Sequence, residues 1–190
     1  RDWSSDVCSS DLTSVWKYLK SEKEYQYDES GTNPVVTQVD YTYDDLDYLT
    51  LTKRTFTNSK GEILTENFTY PHNNTSDSPY DDMVARNMVE TVIEQVTSIT
   101  NSQYLNKELS RVKTNYAIWS GNSSLSPSTF ISPSSVEKSI EQNTLTTELV
   151  INNYDTKGNI LQTTSKKDGV VSYVWGYKQR SEEHTSELQS

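Results

Sequence analysis

Hydrophobic and polar residues alternate along most of this chain, and a period of two is typical of half-buried β-strands. The pattern is clearest in residues 35–43. One face of that segment would carry Val35, Thr37, Val39, Tyr41 and Tyr43. The segments 49–56 and 62–70 flank a short loop with Gly61, a residue that adopts positive φ without a steric cost. Together these segments predict a strand at 35–43 followed by a β-hairpin.

The alternation breaks in two places. After residue 75 the pattern favours a short helix over 81–88, with Asp81 or Asp82 as its N-terminal cap. Residues 120–135 are rich in Ser, Pro and Gly, and they predict a connection with one short strand at 128–131. Residues 107–119 predict a further strand. Residues 89–100 fit a helix through Val92, Val96 and Ile99 or a strand, and their many β-branched residues favour the strand.

The last third of the chain predicts a three-stranded meander. Its strands are 144–154, 159–166 and 170–177, joined by turns at 155–158 and 167–169. On the last strand, three aromatic residues share a face with Val171. They are Tyr173, Trp175 and Tyr177. The whole pattern predicts an all-β fold, in which antiparallel hairpins form an open twisted sheet with one short helix near 81–88.

The two ends of the chain are related through their coding DNA. A back-translation of residues 180–190, read on the opposite strand and in a shifted frame, encodes the peptide of residues 2–12. Unrelated peptides do not show this relation, and the DNA resembles a common sequencing-library adapter. We therefore expect residues 1–12 and 180–190 to be adapter-derived and disordered, and residues 13–179 to be a β region that is incomplete at both ends.

Composition narrows the function classes. The full chain holds 17 basic and 27 acidic residues, and residues 13–179 hold 15 and 21, which is a net charge of −6. A mildly acidic surface without clustered Lys and Arg argues against binding to nucleic acid. No run of about 18 apolar residues is present, so we expect no membrane span. The only cysteine is Cys8, so disulfides and Cys-bound metals are not expected in the β region.

A repeat links the first hairpin to the C-terminal meander. The segment 57–66 (TNSKGEILTE) parallels 154–163 (YDTKGNILQT), and both place Lys-Gly before an apolar pair. The second copy contains Tyr-Asp, two variable residues, Gly, Asn and an apolar residue. These motif positions are Tyr154, Asp155, Gly158, Asn159 and Ile160. Because aspartate accepts backbone N–H bonds and glycine takes positive φ, the motif predicts a tight turn.

This motif resembles the YD-repeat signature, and most of residues 35–179 resembles a region of long Rhs/YD-repeat proteins of Bacteroidetes-type bacteria. The segment KKDGVVSYVWGY (166–177) carries part of that resemblance. The copy at 57–66 departs from the signature, because Thr57 and Asn58 replace Tyr-Asp and Glu62 replaces Asn.

The resemblance implies a fold, a location and a partner. In that family the repeats wind into a β-sheet ribbon that forms a hollow shell, which is secreted or displayed on the cell surface and can enclose a variable toxic domain. It therefore implies a structural role for residues 13–179, an extracellular or cell-surface location, and the neighbouring repeats of the parent chain as partners.

No set of residues predicts catalysis, a cofactor or a metal site. His72 has no partner at ligand spacing, and we expect it to be an exposed turn residue. The acidic stretches 40–48 and 79–83 lack the spacing of a calcium loop and predict solvated turns or a helix cap. A pair of carboxylates for a polysaccharide-acting enzyme would be arbitrary among so many acidic residues.

The aromatic strand faces leave one alternative open. Tyr173, Trp175 and Tyr177 could stack on a sugar ring, as could the aromatic residues of the earlier strands. Those are Tyr41, Tyr43, Phe68 and Tyr70. This interpretation predicts a carbohydrate- or protein-binding β-module of a bacterial surface protein. Cross-strand packing is the favoured interpretation, since aromatic strand faces are usually buried.

Overall fold

The computed structural model describes residues 16–32, 34–58, 60–121, 128–176 and 181–183. In this part of the chain ten strands form one antiparallel sheet, and each strand pairs with its neighbours in sequence. The strands are β1 (Ser21–Gln26), β2 (Val35–Thr42), β3 (Lys53–Thr57), β4 (Ile63–Thr69), β5 (Glu94–Thr100), β6 (Lys107–Ser120), β7 (Thr129–Ile140), β8 (Thr146–Tyr154), β9 (Ile160–Ser165) and β10 (Gly169–Ser172). A separate two-stranded sheet pairs β11 (Val174–Gly176) with β12 (Ser181–Glu183).

The predicted all-β fold of antiparallel hairpins is confirmed, and the sheet is open. Within the described residues, β1 and β10 each pair on one side only. The hairpin predicted at 49–56 and 62–70 is the pair β3–β4, in which Lys53 stands opposite Asn67. The C-terminal meander is β8–β9–β10.

The alternation of hydrophobic and polar residues predicted only part of β7 and did not predict β1. The connection predicted at 120–135 contains the start of β7, which runs over 12 residues and extends far past the short strand at 128–131. Pro133 lies beside a register shift in β6, and such bulges tolerate a residue without an N–H. β1 was not predicted, because all six of its residues are exposed and neither face forms an apolar row.

The predicted strand at 170–177 is divided in the structure. β10 ends at Ser172, and after Tyr173 the chain leaves the ten-stranded sheet as β11. Tyr177 lies outside the described residues. Three residues of the end that we expect to be adapter-derived and disordered are described as β12. For residues 1–12 and 184–190, which lie outside the described part, disorder stays a prediction.

The predicted short helix is confirmed as α1 (Tyr80–Ala85), and a 3-10 turn (Pro71–Asn74) precedes it. Its predicted cap is wrong. Pro79 occupies the N-cap position without a side-chain hydrogen bond, and Asp81 and Asp82 lie in the first helical turn. Their negative charges are favourable there, because the start of a helix carries a partial positive charge.

The most deeply buried side chains gather at one end of the sheet. In a meander, each connection lies at the opposite end of the sheet from the connection before it. The connections 43–52, 70–93 and 155–159 therefore lie at the same end of the sheet. We call residues 70–93 the insertion, and the end where they lie the insert end. The insertion supplies the three largest fully buried side chains of the described chain. They are Pro71, Met83 and Ile93.

Hydrogen bonds fasten the insertion to the sheet. The Arg86 guanidinium donates to the Thr129 carbonyl oxygen at 2.8 Å and to Thr129 Oγ1 at 3.1 Å. The Tyr70 hydroxyl donates to the Leu51 carbonyl at 2.7 Å, and burial raises the pKa of this phenol. Burial of Met83 alone contributes about 1.5–3 kcal/mol. The insertion thus gives a thin sheet a local hydrophobic core.

Candidate functional site

The predicted repeat motif forms a five-residue turn, residues 155–159, between β8 and β9. Asp155 Oδ1 accepts the backbone N–H bonds of Lys157 at 2.8 Å and Asn159 at 2.9 Å. The Asn159 side-chain amide donates to Asp155 Oδ2 at 2.9 Å. Gly158 has φ +86°, a conformation that favours glycine. One carboxylate and one amide therefore close this turn side by side.

The diverged copy at 57–66 forms the same turn with the two side-chain types exchanged. Asn58 Oδ1 accepts the N–H bonds of the residues two and four positions on, at 2.9 and 3.1 Å. The Asn58 amide donates to Glu62 Oε2 at 2.7 Å, and Gly61 has φ +76°. The carboxylate stands first in one turn and last in the other. The departure from the YD signature therefore preserves the hydrogen-bond pattern.

A third copy joins β1 to β2 and was not predicted. Asp28 Oδ1 accepts the N–H bonds of Ser30 at 3.0 Å and Thr32 at 3.3 Å, and Gly31 has φ +67°. The sequence signal for it is Tyr27-Asp28 followed by glycine at the same spacing as in the copy at 154–158. Three hairpins of the described chain thus close with the same turn.

Tyr154 connects its turn to the neighbouring hairpin. Its hydroxyl donates to the Pro133 carbonyl at 2.9 Å. Its ring centroid lies 4.7 Å from that of Trp119 and 5.6 Å from that of Phe130, in edge-on arrangements. A methyl group placed on Gly158 would stand 3.8 Å from the Phe130 ring. The tyrosine of the motif therefore packs the turn onto the ends of β6 and β7.

The described stacking candidates make contacts within the sheet. Trp175 Nε1 donates to the carbonyl of Ile160, the last motif residue, at 2.7 Å. The Tyr173 hydroxyl lies 3.3 Å from Thr163 Oγ1, and both aromatic rings are half-buried. Tyr70, another candidate, is only 5% exposed. These contacts are those expected of cross-strand packing, and sugar stacking at these residues stays a prediction.

The carboxylates of the three turns have lowered pKa values. Burial raises the pKa of Asp155, but hydrogen bonds from Asn159 and from the Lys157 N–H lower it by more, so that it lies below its ordinary value of 3.8. For Asp28 and Glu62, a hydrogen bond from a neighbouring side chain is the largest cause of the lowered pKa. The folded turns therefore favour the ionised carboxylates.

His72 is buried, so the prediction of an exposed turn residue is wrong. Its side chain is 2% exposed, and its Nε2 lies 3.0 Å from Asp45 Oδ2. The rings of Tyr48 and Tyr70 stack on it with centroids at 4.1 and 5.5 Å. Neither ring nitrogen makes a well-directed hydrogen bond to the described residues. The cluster therefore joins the connection 43–52 to the insertion.

The described residues show neither a metal-binding cluster nor a membrane-spanning helix. No three His, Cys, Asp or Glu side chains there stand close enough to hold a metal ion. No helix in the same ranges has the length and apolar character needed to cross a membrane. No protein-family model matches the sequence, and no curated protein or solved structure matches it.

The exchanged turn pairs predict a compensating double substitution. Asn159→Glu places two carboxylates face to face, and we expect it to lower the free energy of unfolding by about 1–2 kcal/mol. Adding Asp155→Asn recreates the pair found at Asn58 and Glu62, and it should recover most of that loss. Urea denaturation of the two single variants and the double variant measures the coupling. A double variant no more stable than Asn159→Glu would contradict the equivalence of the turns.

The lowered pKa of Asp155 predicts an acid-sensitive turn. Since this pKa is lower in the folded than in the unfolded chain, the carboxylate stabilises the fold above about pH 3.8, and this stability is lost as the pH falls towards the folded pKa. Asp155→Asn removes the titrating group but keeps a side-chain oxygen that can accept the N–H bonds. Its unfolding free energy should therefore fall less steeply below pH 4 than that of the unchanged chain. Parallel slopes in urea titrations at several pH values would refute this.

Proposed function

We propose that residues 13–179 are a structural segment of the β-shell of a large secreted or cell-surface protein of the Rhs/YD-repeat type, with no catalysis in this segment. The observation that carries the proposal is the turn shared by three hairpins of one sheet. Chains built from a repeated hairpin extend a sheet strand by strand and bury their faces against neighbouring units. The plain meander order and the exchanged side-chain pairs agree with such a repeat.

The exposure of apolar residues supports a role within a larger assembly. Away from the insertion, most strand residues are only half-buried. Several apolar side chains at the end opposite the insertion are exposed, such as Ile140 at 67% and Leu105 at 89%. Neighbouring repeats of a parent chain would cover such residues.

The proposal is tested on the longer natural chain that contains this segment. We expect its reading frame to continue past Gln179 into further hairpins with Asp-x-x-Gly or Asn-x-x-Gly turns. Electron microscopy of the purified long chain should then show a hollow particle whose wall is one β-sheet thick. A stop codon directly after Gln179, or a solid particle without a cavity, would reject the shell role.

One observation favours the carbohydrate- or protein-binding module as a second candidate. Trp16 and Tyr18 stack with centroids 4.5 Å apart, and Tyr43 lies 5.3 Å from Trp16. Trp16 is 39% and Tyr18 is 53% exposed. We call these three residues the exposed aromatic cluster. Partly exposed aromatic rings are the type of side chain that stacks on the C–H groups of a sugar, whereas the hydrogen bond of Trp175 lies within the sheet.

A glycan array distinguishes the two candidates. If the segment is a carbohydrate-binding module, Trp16→Ala should abolish binding to at least one glycan and leave the circular dichroism spectrum unchanged. Trp175→Ala serves as the matched control, because that ring packs within the sheet and its loss should affect stability more than binding. Absence of saturable binding by the unchanged chain would eliminate the carbohydrate-binding form of this candidate.

A further inference from the structure

Among the described residues, no strand pairs with the outer edge of β1. The Tyr41 N–H donates to the Lys20 carbonyl at 2.9 Å, so Lys20 points its backbone groups towards β2. Backbone N–H and C=O groups of successive residues point to opposite edges of a strand. Those of Ser21, Lys23 and Tyr25 therefore point away from the sheet. Such an edge is a template for another strand.

The outer edge of β10 is a second template of different character. The Tyr173 N–H donates to the Leu161 carbonyl at 2.9 Å, so by the same alternation Val170 and Ser172 point their backbone groups outwards. β10 carries no charged residue, and Val170 is 63% exposed. It lacks the inward-pointing charges and prolines with which natural edges are blocked.

Charge disfavours the pairing of β1 with a second β1. An antiparallel pair related by a two-fold axis places one residue opposite itself. A pairing that uses most of β1 places either Lys23 or Glu24 on the two-fold axis. With Lys23 on the axis, Lys23 lies opposite Lys23 and Glu22 lies opposite Glu24. With Glu24 on the axis, Glu24 lies opposite Glu24. Like charges directly opposite each other destabilise a strand pair.

A pairing of β10 with β1 avoids these clashes and continues the meander. β1 and β10 run in opposite directions in a ten-stranded antiparallel sheet, so two copies in the same orientation meet edge to edge as antiparallel neighbours. Lys167, exposed in the turn before β10, would then lie at the same end of the sheet as Asp28 and Glu29 of the next copy. A pairing of β10 with β10 gains no such contact and leaves both β1 edges open.

We propose that isolated copies of this chain associate head to tail, with the β10 edge of one copy added to the β1 edge of the next. Such a heterologous joint does not close on itself and generates open chains of copies. The joint involves only the two sheet edges and the turns beside them. Its test therefore does not depend on the shell proposal.

Two proline substitutions test the joint from both sides. Lys23→Pro and Val170→Pro each remove an outward N–H, and proline is tolerated at such edge positions. We expect the unchanged chain to form species of increasing mass in sedimentation velocity as its concentration rises. Each variant alone should remain a monomer. An equimolar mixture should form a dimer and nothing larger, because Lys23→Pro retains the β10 edge and Val170→Pro retains the β1 edge.

The mixture separates the head-to-tail joint from its competitors. Dimers of Lys23→Pro alone would indicate β10–β10 pairing, and dimers of Val170→Pro alone would indicate β1–β1 pairing. Either result overturns the proposal, as does an unchanged chain that stays monomeric at all concentrations. Circular dichroism of each variant checks that the sheet is retained.

Cross-linking provides a second measurement that does not need proline. In a background with Cys8→Ser, the variants Ser21→Cys and Ser172→Cys place one thiol each at the insert-end portions of β1 and β10. We expect the mixed disulfide between the two variants to form in preference to either homodimer. A statistical mixture of the three disulfides would overturn the head-to-tail assignment.

Discussion

The insertion gives this single-layer sheet its most deeply buried side chains, at one end of the strands. Met83, Pro71 and Ile93 are almost entirely removed from water, and all three come from the connection between β4 and β5. Tyr70 and Arg86 tie this connection to β7 and to the connection after β2. The remaining strands are held mainly by their ladders, by their turns and by cross-strand pairs, such as Arg111 with Glu94 and Glu108.

The turns show how a repeat can diverge without losing its geometry. What the hairpin needs is an oxygen that accepts two backbone N–H bonds, a glycine with positive φ and a partner for the remaining polar atom of the first residue. Asp155 with Asn159 and Asn58 with Glu62 meet these needs with opposite arrangements of charge. At Asp28 the Ser30 hydroxyl donates at 2.6 Å to Oδ1, the oxygen that also accepts the two backbone N–H bonds, so this turn shares the backbone pattern but not the second side-chain pair. The chemistry of the turn is therefore more constant than its sequence.

Within the described residues the sheet has two open edges, β1 and β10, and several exposed apolar side chains. The polar groups of Tyr154, Tyr173 and Trp175 make hydrogen bonds within the sheet, as expected of rings that pack across strands. The His72 ring stacks with Tyr48 and Tyr70 and is 2% exposed, and its Nε2 lies 3.0 Å from the partly exposed Asp45 carboxylate.

Local sequence patterns were enough to predict the class of the fold, the β3–β4 hairpin, the C-terminal meander and the turn at 155–159. These depend on local physics, because alternation follows from the pleat, and the Asp and Gly positions follow from the φ values and N–H groups of a tight turn. The short helix was also predictable from local pattern, although its cap was not.

The position of the core and the burial of polar residues depend on contacts between distant segments, and they were known only from the three-dimensional structure. His72 is buried because the connection 43–52 folds over the insertion, a contact between segments whose separation leaves no periodic signal. The full length of β7 was hidden because its Ser and Pro residues are stabilised by pairing with β6, including a bulge that accommodates Pro133. β1 has no apolar face and exists because β2 offers it a ladder. Local residue preferences set the turns and the two-residue period of the strands, and long-range contacts set which strands and connections pack together.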